Sequence, residues 1–165
     1  MSRLRKILLF ALLIFVSWML MQAVHEFGHV LGAWSSGGTV AEVVLNPLTI
    51  SRTDVRPNPH PLVVVWAGPI LGVALPVAIW IAARSIRFKY VNLTQFFAGF
   101  CLIANGAYIG AGSFDRIGDC GEMLRNGSPV WLLWIFGAVA VLPGIYLWHG
   151  LTRRSSRDAP EDENV

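Results

Sequence analysis

Four long stretches without acidic, basic or histidine side chains constrain this 165-residue chain more than any other feature. They cover residues 7–24, 61–83, 91–114 and 129–148. A stretch of about 18 or more residues with few or no charges is long enough to cross the hydrocarbon core of a bilayer as a helix. Only 14% of the residues are charged, against about 25% in soluble domains. The sequence therefore predicts an all-α polytopic membrane protein with about four transmembrane helices.

The first stretch follows a basic cluster at residues 3–6, as the apolar core of a signal peptide would. However, the apolar run is as long as a full span, and no small-x-small cleavage site precedes the polar residues after it. We therefore expect a retained helix over about residues 4–34. Residues 35–38 end it, because two adjacent glycines do not sustain a helix.

Three other segments are too polar to span a membrane. Residues 39–55 carry β-branched runs on either side of an Asn-Pro turn, which predicts a small interfacial β-hairpin after the first helix. Residues 113–128 form a polar loop segment. Residues 151–165 have too few apolar side chains to order themselves. The chain is therefore predicted to contain one membrane-embedded domain, residues 1–150, and a disordered cytoplasmic tail, residues 151–165.

The 13 Lys and Arg residues are distributed unequally between the two sides of the predicted bundle. The N-terminus, the loop between spans two and three, and the tail carry most of them. By the positive-inside rule, this bias places both termini in the cytoplasm, and the compact form favours a plasma (inner) membrane. The excess of basic residues behind the net charge of +3 is therefore explained by the orientation of the chain in the membrane, and we expect no nucleic-acid partner.

A His-Glu-Phe-Gly-His motif lies at the end of the first predicted span. His25 and His29 are four residues apart, so both imidazoles project from one face of a helix and can bind one zinc ion. Glu26 lies beside them, where a carboxylate can act as general base on a water whose pKa the zinc lowers. Ionisable groups at this depth are costly and are therefore functional by default.

A catalytic zinc site takes three protein ligands and leaves a fourth position open. Asp119 and Asp115 both follow span three, on the same side of the membrane as the two histidines. Asp119 lies in Gly-Asp-Cys-Gly, which we interpret as a turn. Either aspartate could be the third ligand. His60 and Cys120 are weaker candidates.

Asn105 is a polar residue inside span three. A lone asparagine at this depth can hydrogen-bond a neighbouring helix. In a protease it can instead donate to the substrate carbonyl, the role that oxyanion donors play. The sequence leaves both roles open.

Four features of the sequence occur together in chain order. They are the His-Glu motif, the predicted hairpin after it, Ala67-Gly68-Pro69 in the next span, and Asp119 in Gly-Asp-Cys-Gly-Glu-Met-Leu. This pattern resembles the site-2 protease family, zinc metalloproteases that cut peptide bonds within or beside the membrane. The resemblance covers roughly residues 20–130, and the His-Glu motif is its most specific part.

The resemblance implies that His25, His29 and Asp119 bind zinc and that Glu26 is the catalytic base. It favours Asp119 over Asp115 because the residues after Asp119 match the family's frame better. The chain departs from the family pattern at Gly72, where the family commonly has an asparagine.

The predicted function is therefore that of an intramembrane zinc metalloendopeptidase. Its expected cofactor is Zn²⁺, and its expected partners are the lipid bilayer and a membrane-protein or membrane-proximal peptide substrate. The alternative is a non-catalytic membrane scaffold or metal-binding protein that retains the zinc site. Glu26 distinguishes the two, because hydrolysis needs it and zinc binding does not. The sequence leaves the oligomeric state open.

Overall fold

The protein was analysed as a computed structural model that describes residues 2–157. The elements in chain order are α1 (Arg3–Ser35), β1 (Val40–Val44), β2 (Arg52–Val55), α2 (Pro61–Ser85), α3 (Val91–Asp115), α4 (Gly118–Arg125) and α5 (Val130–Arg157). Helices α1, α2, α3 and α5 are long and apolar enough to cross a membrane. The predicted fold class, four membrane helices with a small hairpin after the first, is confirmed. The chain is a multi-pass membrane protein.

Helix α1 changes character along its length. Its first half exposes large apolar side chains such as Leu8 and Phe15, as expected of a surface in contact with lipid. Its second half buries polar side chains, among them Gln22, His25 and Glu26. The ionisable groups in this second half therefore face the protein interior, where they can be paired.

Helices α1 and α2 approach each other closely through small residues. Gly28 and Gly32 of α1 lie against Val64, Ala67 and Gly68 of α2, and a Cβ at Gly28 would overlap the Ala67 carbonyl. Small side chains permit such close backbone contact between membrane helices. This packing places the end of α1 directly against the beginning of α2.

Helix α3 packs between α2 and α5, with Gly106 and Gly110 against Gly137.

Strands β1 and β2 pair antiparallel, with Val43 opposite Thr53 in the register. The hairpin is fixed to one face of α1 by three contacts. The Trp18 indole donates to the Pro47 carbonyl at 3.2 Å, Ser51 bonds Gln22, and Thr53 bonds Glu26. Trp18, Gln22 and Glu26 are four residues apart, so they lie on one helix face. The hairpin therefore lies directly beside the His-Glu motif.

Helix α4 corrects the prediction for the segment after span three. Asp119 was predicted to lie in a turn, but it lies in the first turn of an eight-residue helix. Two glycines disfavour a helix here, and burial overrides that preference. Cys120 and Met123 are fully buried against Val65, Ile109 and Leu133 of the long helices.

Helix α5 continues to Arg157, seven residues into the segment predicted as a disordered tail. The rest of that predicted tail, residues 158–165, lies outside the described residues. Because the four long helices alternate in direction, the hairpin and α4 lie at the same end of the bundle. That end holds the His-Glu motif.

Candidate metal centre

His25, Glu26 and His29 are buried at the end of α1 that faces the hairpin, with 6%, 4% and 5% of their surfaces exposed. One potential ligand atom from each side chain lies within 4.8 Å of the others. The two imidazole rings meet edge to face, with centroids 4.8 Å apart. The helical spacing therefore places the three groups together, as predicted from the sequence.

Helix α4 adds Asp119 to this cluster. Its Oδ2 lies 2.8 Å from His25 Nε2 and 3.4 Å from His29 Nε2. The Asp119 backbone N–H donates to the Tyr108 hydroxyl at 3.1 Å, which fixes the start of α4 against α3. Asp115 is exposed at the last residue of α3, and no described contact joins it to either histidine. The structure thus brings Asp119, and not Asp115, to the histidines.

The Asp119 carboxyl is suited to act as an anionic ligand. Burial raises its pKa, but its contacts with His25 and His29 outweigh burial and hold the pKa well below its ordinary value. The group is therefore ionised at neutral pH. About 20% of its side-chain surface stays exposed, so the carboxylate borders open space as well as the two imidazoles.

The second ring nitrogen of each histidine is bonded to a fixed acceptor. His25 Nδ1 lies 2.6 Å from Asn105 Oδ1, and His29 Nδ1 lies 2.8 Å from the Val64 carbonyl oxygen. Because both partners accept, each Nδ1 carries a proton, and in the neutral ring Nε2 then presents its lone pair towards Asp119. Metal-binding histidines are commonly oriented in this way by a carbonyl or carboxylate behind the ring.

Both Nε2 atoms therefore lie within 3.4 Å of a single carboxylate oxygen, Asp119 Oδ2. The 2.8 Å separation of His25 Nε2 and Asp119 Oδ2 can accommodate a shared proton or a metal ion bound by both groups. Two neutral imidazoles and one carboxylate are the donor set of catalytic zinc sites, which keep a further position open. His25, His29 and Asp119 thus fit a zinc ion by the chemistry of their donor atoms.

The Glu26 carboxylate lies beside the two imidazoles and is also bonded to the hairpin. Its Oε2 accepts a hydrogen bond from the Thr53 hydroxyl at 2.7 Å, and no described residue bonds its Oε1. Thr53 belongs to β2, so the hairpin holds one carboxylate oxygen and leaves the other available. The sequence did not indicate Thr53, because 27 residues separate it from Glu26 and no motif links the two.

Asn105 uses both ends of its amide within the protein. Its Oδ1 accepts from His25, and its Nδ2 donates to the Cys101 carbonyl at 2.9 Å. The second hydrogen of Nδ2 has no partner among the described residues, so the oxyanion role that the sequence left open stays a prediction. Asn105 is a positioning residue for His25. A Cβ at Gly72 would lie 2.6 Å from Asn105 Oδ1, so that glycine makes room for the amide.

The weaker candidates lie outside the cluster. His60 is exposed at the start of α2. The Cys120 thiol donates to the Tyr108 carbonyl at 3.2 Å, and burial raises the pKa of this thiol to about 11. Cys120 is therefore a protonated core residue at neutral pH.

Two cavities meet at the candidate centre. The polar cavity, about 600 Å³, is lined by charged and polar side chains of β2 and α4, by His29, and by apolar side chains of α2 such as Val64 and Val65. The apolar cavity, about 170 Å³, is lined by side chains of α1 and α3 and by Ile50 and Ser51 of the hairpin. Glu26, Tyr108 and Asp119 border both. The centre therefore lies between two spaces of different polarity.

Replacing Asn105 with leucine is expected to lower the affinity for zinc by about 10- to 100-fold, the usual cost of losing a group that orients a metal ligand. Leucine has a similar size but cannot accept a hydrogen bond from His25 Nδ1. Gln95→Leu is the matched control, because this buried amide of the same helix bonds the Leu147 carbonyl far from the centre. Competition with a fluorescent zinc chelator measures both affinities. Equal zinc affinities for the two variants would show that Asn105 does not position His25.

Gly68→Ala is expected to lower zinc affinity by at least about 10-fold, because a Cβ at this position would overlap the His29 imidazole. Alanine is otherwise the better helix former by about 1 kcal/mol. Gly150→Ala is the control, since its Cβ would meet only the flexible end of Gln95. The same zinc competition applies, and unchanged affinity in Gly68→Ala would contradict the described position of His29.

The chain matches no protein-family model, and comparisons with curated proteins and with solved structures gave no match.

Proposed function

We propose that this protein is an intramembrane zinc metalloendopeptidase, which hydrolyses peptide bonds within or beside the membrane. One observation carries the proposal. His25 Nε2 and His29 Nε2 both lie within 3.4 Å of Asp119 Oδ2, and the Glu26 carboxylate lies beside them where two cavities meet. The resemblance of the His-Glu motif and its surroundings to the site-2 protease family supports the same reaction.

In peptide hydrolysis, the oxygen of water bonds to the carbonyl carbon, the C–N bond breaks, and a proton moves from the water to the departing amine. A zinc ion, when bound, polarises the carbonyl and lowers the pKa of the attacking water. Glu26 accepts the proton at Oε1 and delivers it to the amine nitrogen. Thr53 keeps the carboxylate in position by donating to Oε2.

The remaining residues keep these groups in place. Asn105 and Val64 hold the two imidazoles in the tautomer that presents Nε2. Tyr108 accepts the Asp119 N–H and so fixes the carboxylate at the start of α4. Most of the polar groups around the centre are thus bonded before a substrate arrives, which limits the reorganisation needed during the reaction.

The function is tested with detergent-purified protein and a library of unstructured synthetic peptides with randomised central positions. We expect cleavage with zinc present, its loss after treatment with a zinc chelator, and its return when zinc is added back. Mass spectrometry of the products identifies the cut bonds. If the zinc-loaded protein leaves the library intact, the enzymatic function is wrong and a metal-binding scaffold is the better description.

The proposed location is a plasma (inner) membrane, with both termini in the cytoplasm and the metal centre towards the other face. The distribution of Lys and Arg supports this orientation. The hairpin and α4 carry fewer of the basic residues than the opposite end of the bundle.

Single cysteines test the orientation. Cys101 and Cys120 are buried, so their labelling background is expected to be low. In sealed cells, a membrane-impermeant maleimide is expected to label Glu42→Cys on the exposed face of β1 and not Ser85→Cys at the end of α2. Labelling of Ser85→Cys alone would show that the protein has the opposite orientation in the membrane.

A further inference from the structure

We propose that the apolar cavity is the specificity pocket of the protein and takes a medium-sized apolar side chain, such as leucine, from the substrate residue next to the scissile bond. This inference rests on the proposed peptidase function. It adds which residues flank the bond that is cut, and which side chains of the protein select them.

The wall of the apolar cavity favours an apolar occupant. The cavity is lined by apolar side chains from three elements: Trp18 and Met21 of α1, Ile50 of the hairpin and Ala104 of α3. Two of these four come from the helix that carries the His-Glu motif, and Ala104 directly precedes Asn105. The pocket and the metal centre are therefore built on the same two helices.

Apart from Glu26 and Asp119 at the end next to the metal centre, the polar groups in this wall are bonded within the protein. Gln22 bonds Ser51, His25 bonds Asn105, and the Trp18 indole donates to a hairpin carbonyl. A polar substrate side chain would lose its water and find few free partners here, which is costly. An apolar side chain loses nothing by the same transfer and gains burial.

The volume limits the size of the side chain. An apolar cavity of about 150 Å³ is known to accommodate a benzene molecule, and this one is about 170 Å³. The space therefore fits one leucine, methionine or phenylalanine side chain. A tryptophan side chain is too large, and alanine leaves most of the pocket empty.

The position of the pocket places its occupant beside the reacting bond. Glu26 and Asp119 border both cavities, so a peptide that places one side chain in the apolar cavity brings its adjacent backbone to the catalytic groups. The next residues then extend into the polar cavity, which contains Arg52, Arg56 and Asp54. The expected cleavage site is thus the junction between an apolar and a polar stretch of the substrate.

The peptide library described above tests the pocket through the residues found beside each cut bond. We expect wild-type protein to favour leucine over alanine at one flanking position by at least about 10-fold, since even one methylene in an apolar pocket changes kcat/KM by about that factor. Ala104→Leu fills the cavity and should shift the preference towards alanine and glycine. Met21→Ala enlarges it and should shift the preference towards tryptophan.

Ala107→Leu is the matched control, because Ala107 is exposed on the same helix and does not line the cavity. It should keep the wild-type preference. Zinc content is measured for each variant, so that loss of the metal is not mistaken for a change of specificity.

A second readout does not depend on turnover. A peptide carrying a photoreactive leucine analogue is cross-linked to the Glu26→Gln variant, and we expect the label on Trp18 or Met21 of α1. Two results would overturn the proposed specificity pocket while leaving the peptidase function intact. One is a label confined to polar-cavity residues such as Arg56. The other is a flanking preference that neither Ala104→Leu nor Met21→Ala alters. No zinc-dependent cleavage by wild-type protein would overturn both.

Discussion

Glu26→Gln is expected to lower the rate of peptide cleavage by about 10²- to 10⁴-fold, the range that one general base contributes. The amide has the size of the carboxylate and can still accept the Thr53 hydrogen bond at one oxygen. It cannot take a proton from water. Zinc content should stay at the wild-type level, because none of the three converging ligand atoms belongs to Glu26.

Glu42→Gln is the matched control for this substitution. Glu42 is an exposed glutamate of the hairpin whose one ion pair among the described residues is with Arg52 at 3.6 Å, and exposed pairs of this kind contribute little. Its cleavage rate should equal that of wild-type protein, measured as initial rates on the same peptide library. Full activity in Glu26→Gln would show that another group transfers the proton.

Asp119→Ala is expected to lower zinc affinity by more than about 100-fold, beyond the usual cost of losing a supporting group. The substitution removes the only carboxylate that contacts both imidazoles among the described residues. The fold should survive, because the bond from the residue 119 backbone N–H to the Tyr108 hydroxyl does not need the side chain, and Cys120 and Met123 still anchor α4.

Asp115→Ala provides the comparison. It removes an exposed aspartate four residues upstream, with no described contact to the histidines, and should keep wild-type zinc affinity. Zinc competition on both variants separates the two aspartates that the sequence left as alternatives. Zinc loss in Asp115→Ala instead would mean that the loop between α3 and α4 is arranged differently.

The local part of the candidate site could be predicted from the sequence. Helical spacing alone places His25 and His29 on one face with Glu26 beside them, and the need for a third ligand drew attention to the polar residues after span three. The structure brings Asp119 to that position, while zinc binding itself stays a prediction.

The groups that hold these side chains could not be predicted from the sequence. Asn105 lies 80 residues from His25, and its contact with that ring depends on how closely α1, α2 and α3 pack. The partner of His29 is the Val64 backbone carbonyl, which has no sequence signature. Such contacts follow from tertiary packing, and neither periodicity nor motif spacing contains that information.

Helix α4 shows the same limit at the level of secondary structure. Gly118 and Gly121 favour a turn over a helix, so the local signal pointed away from the observed element. Cys120, Met123 and Leu124 do have helical spacing, which was the available signal. Their burial against the long helices outweighs the glycines.

X-ray absorption at the zinc edge of the purified protein tests the central claim most directly, because it reports the presence of the metal and the atoms around it. We expect about one zinc per chain, with two imidazole nitrogens and oxygen ligands at about 2.0–2.2 Å, and the loss of the oxygen contribution from Asp119 in Asp119→Ala. A sulfur ligand, or no bound zinc even after reconstitution, would contradict the metal centre and the peptidase function proposed from it.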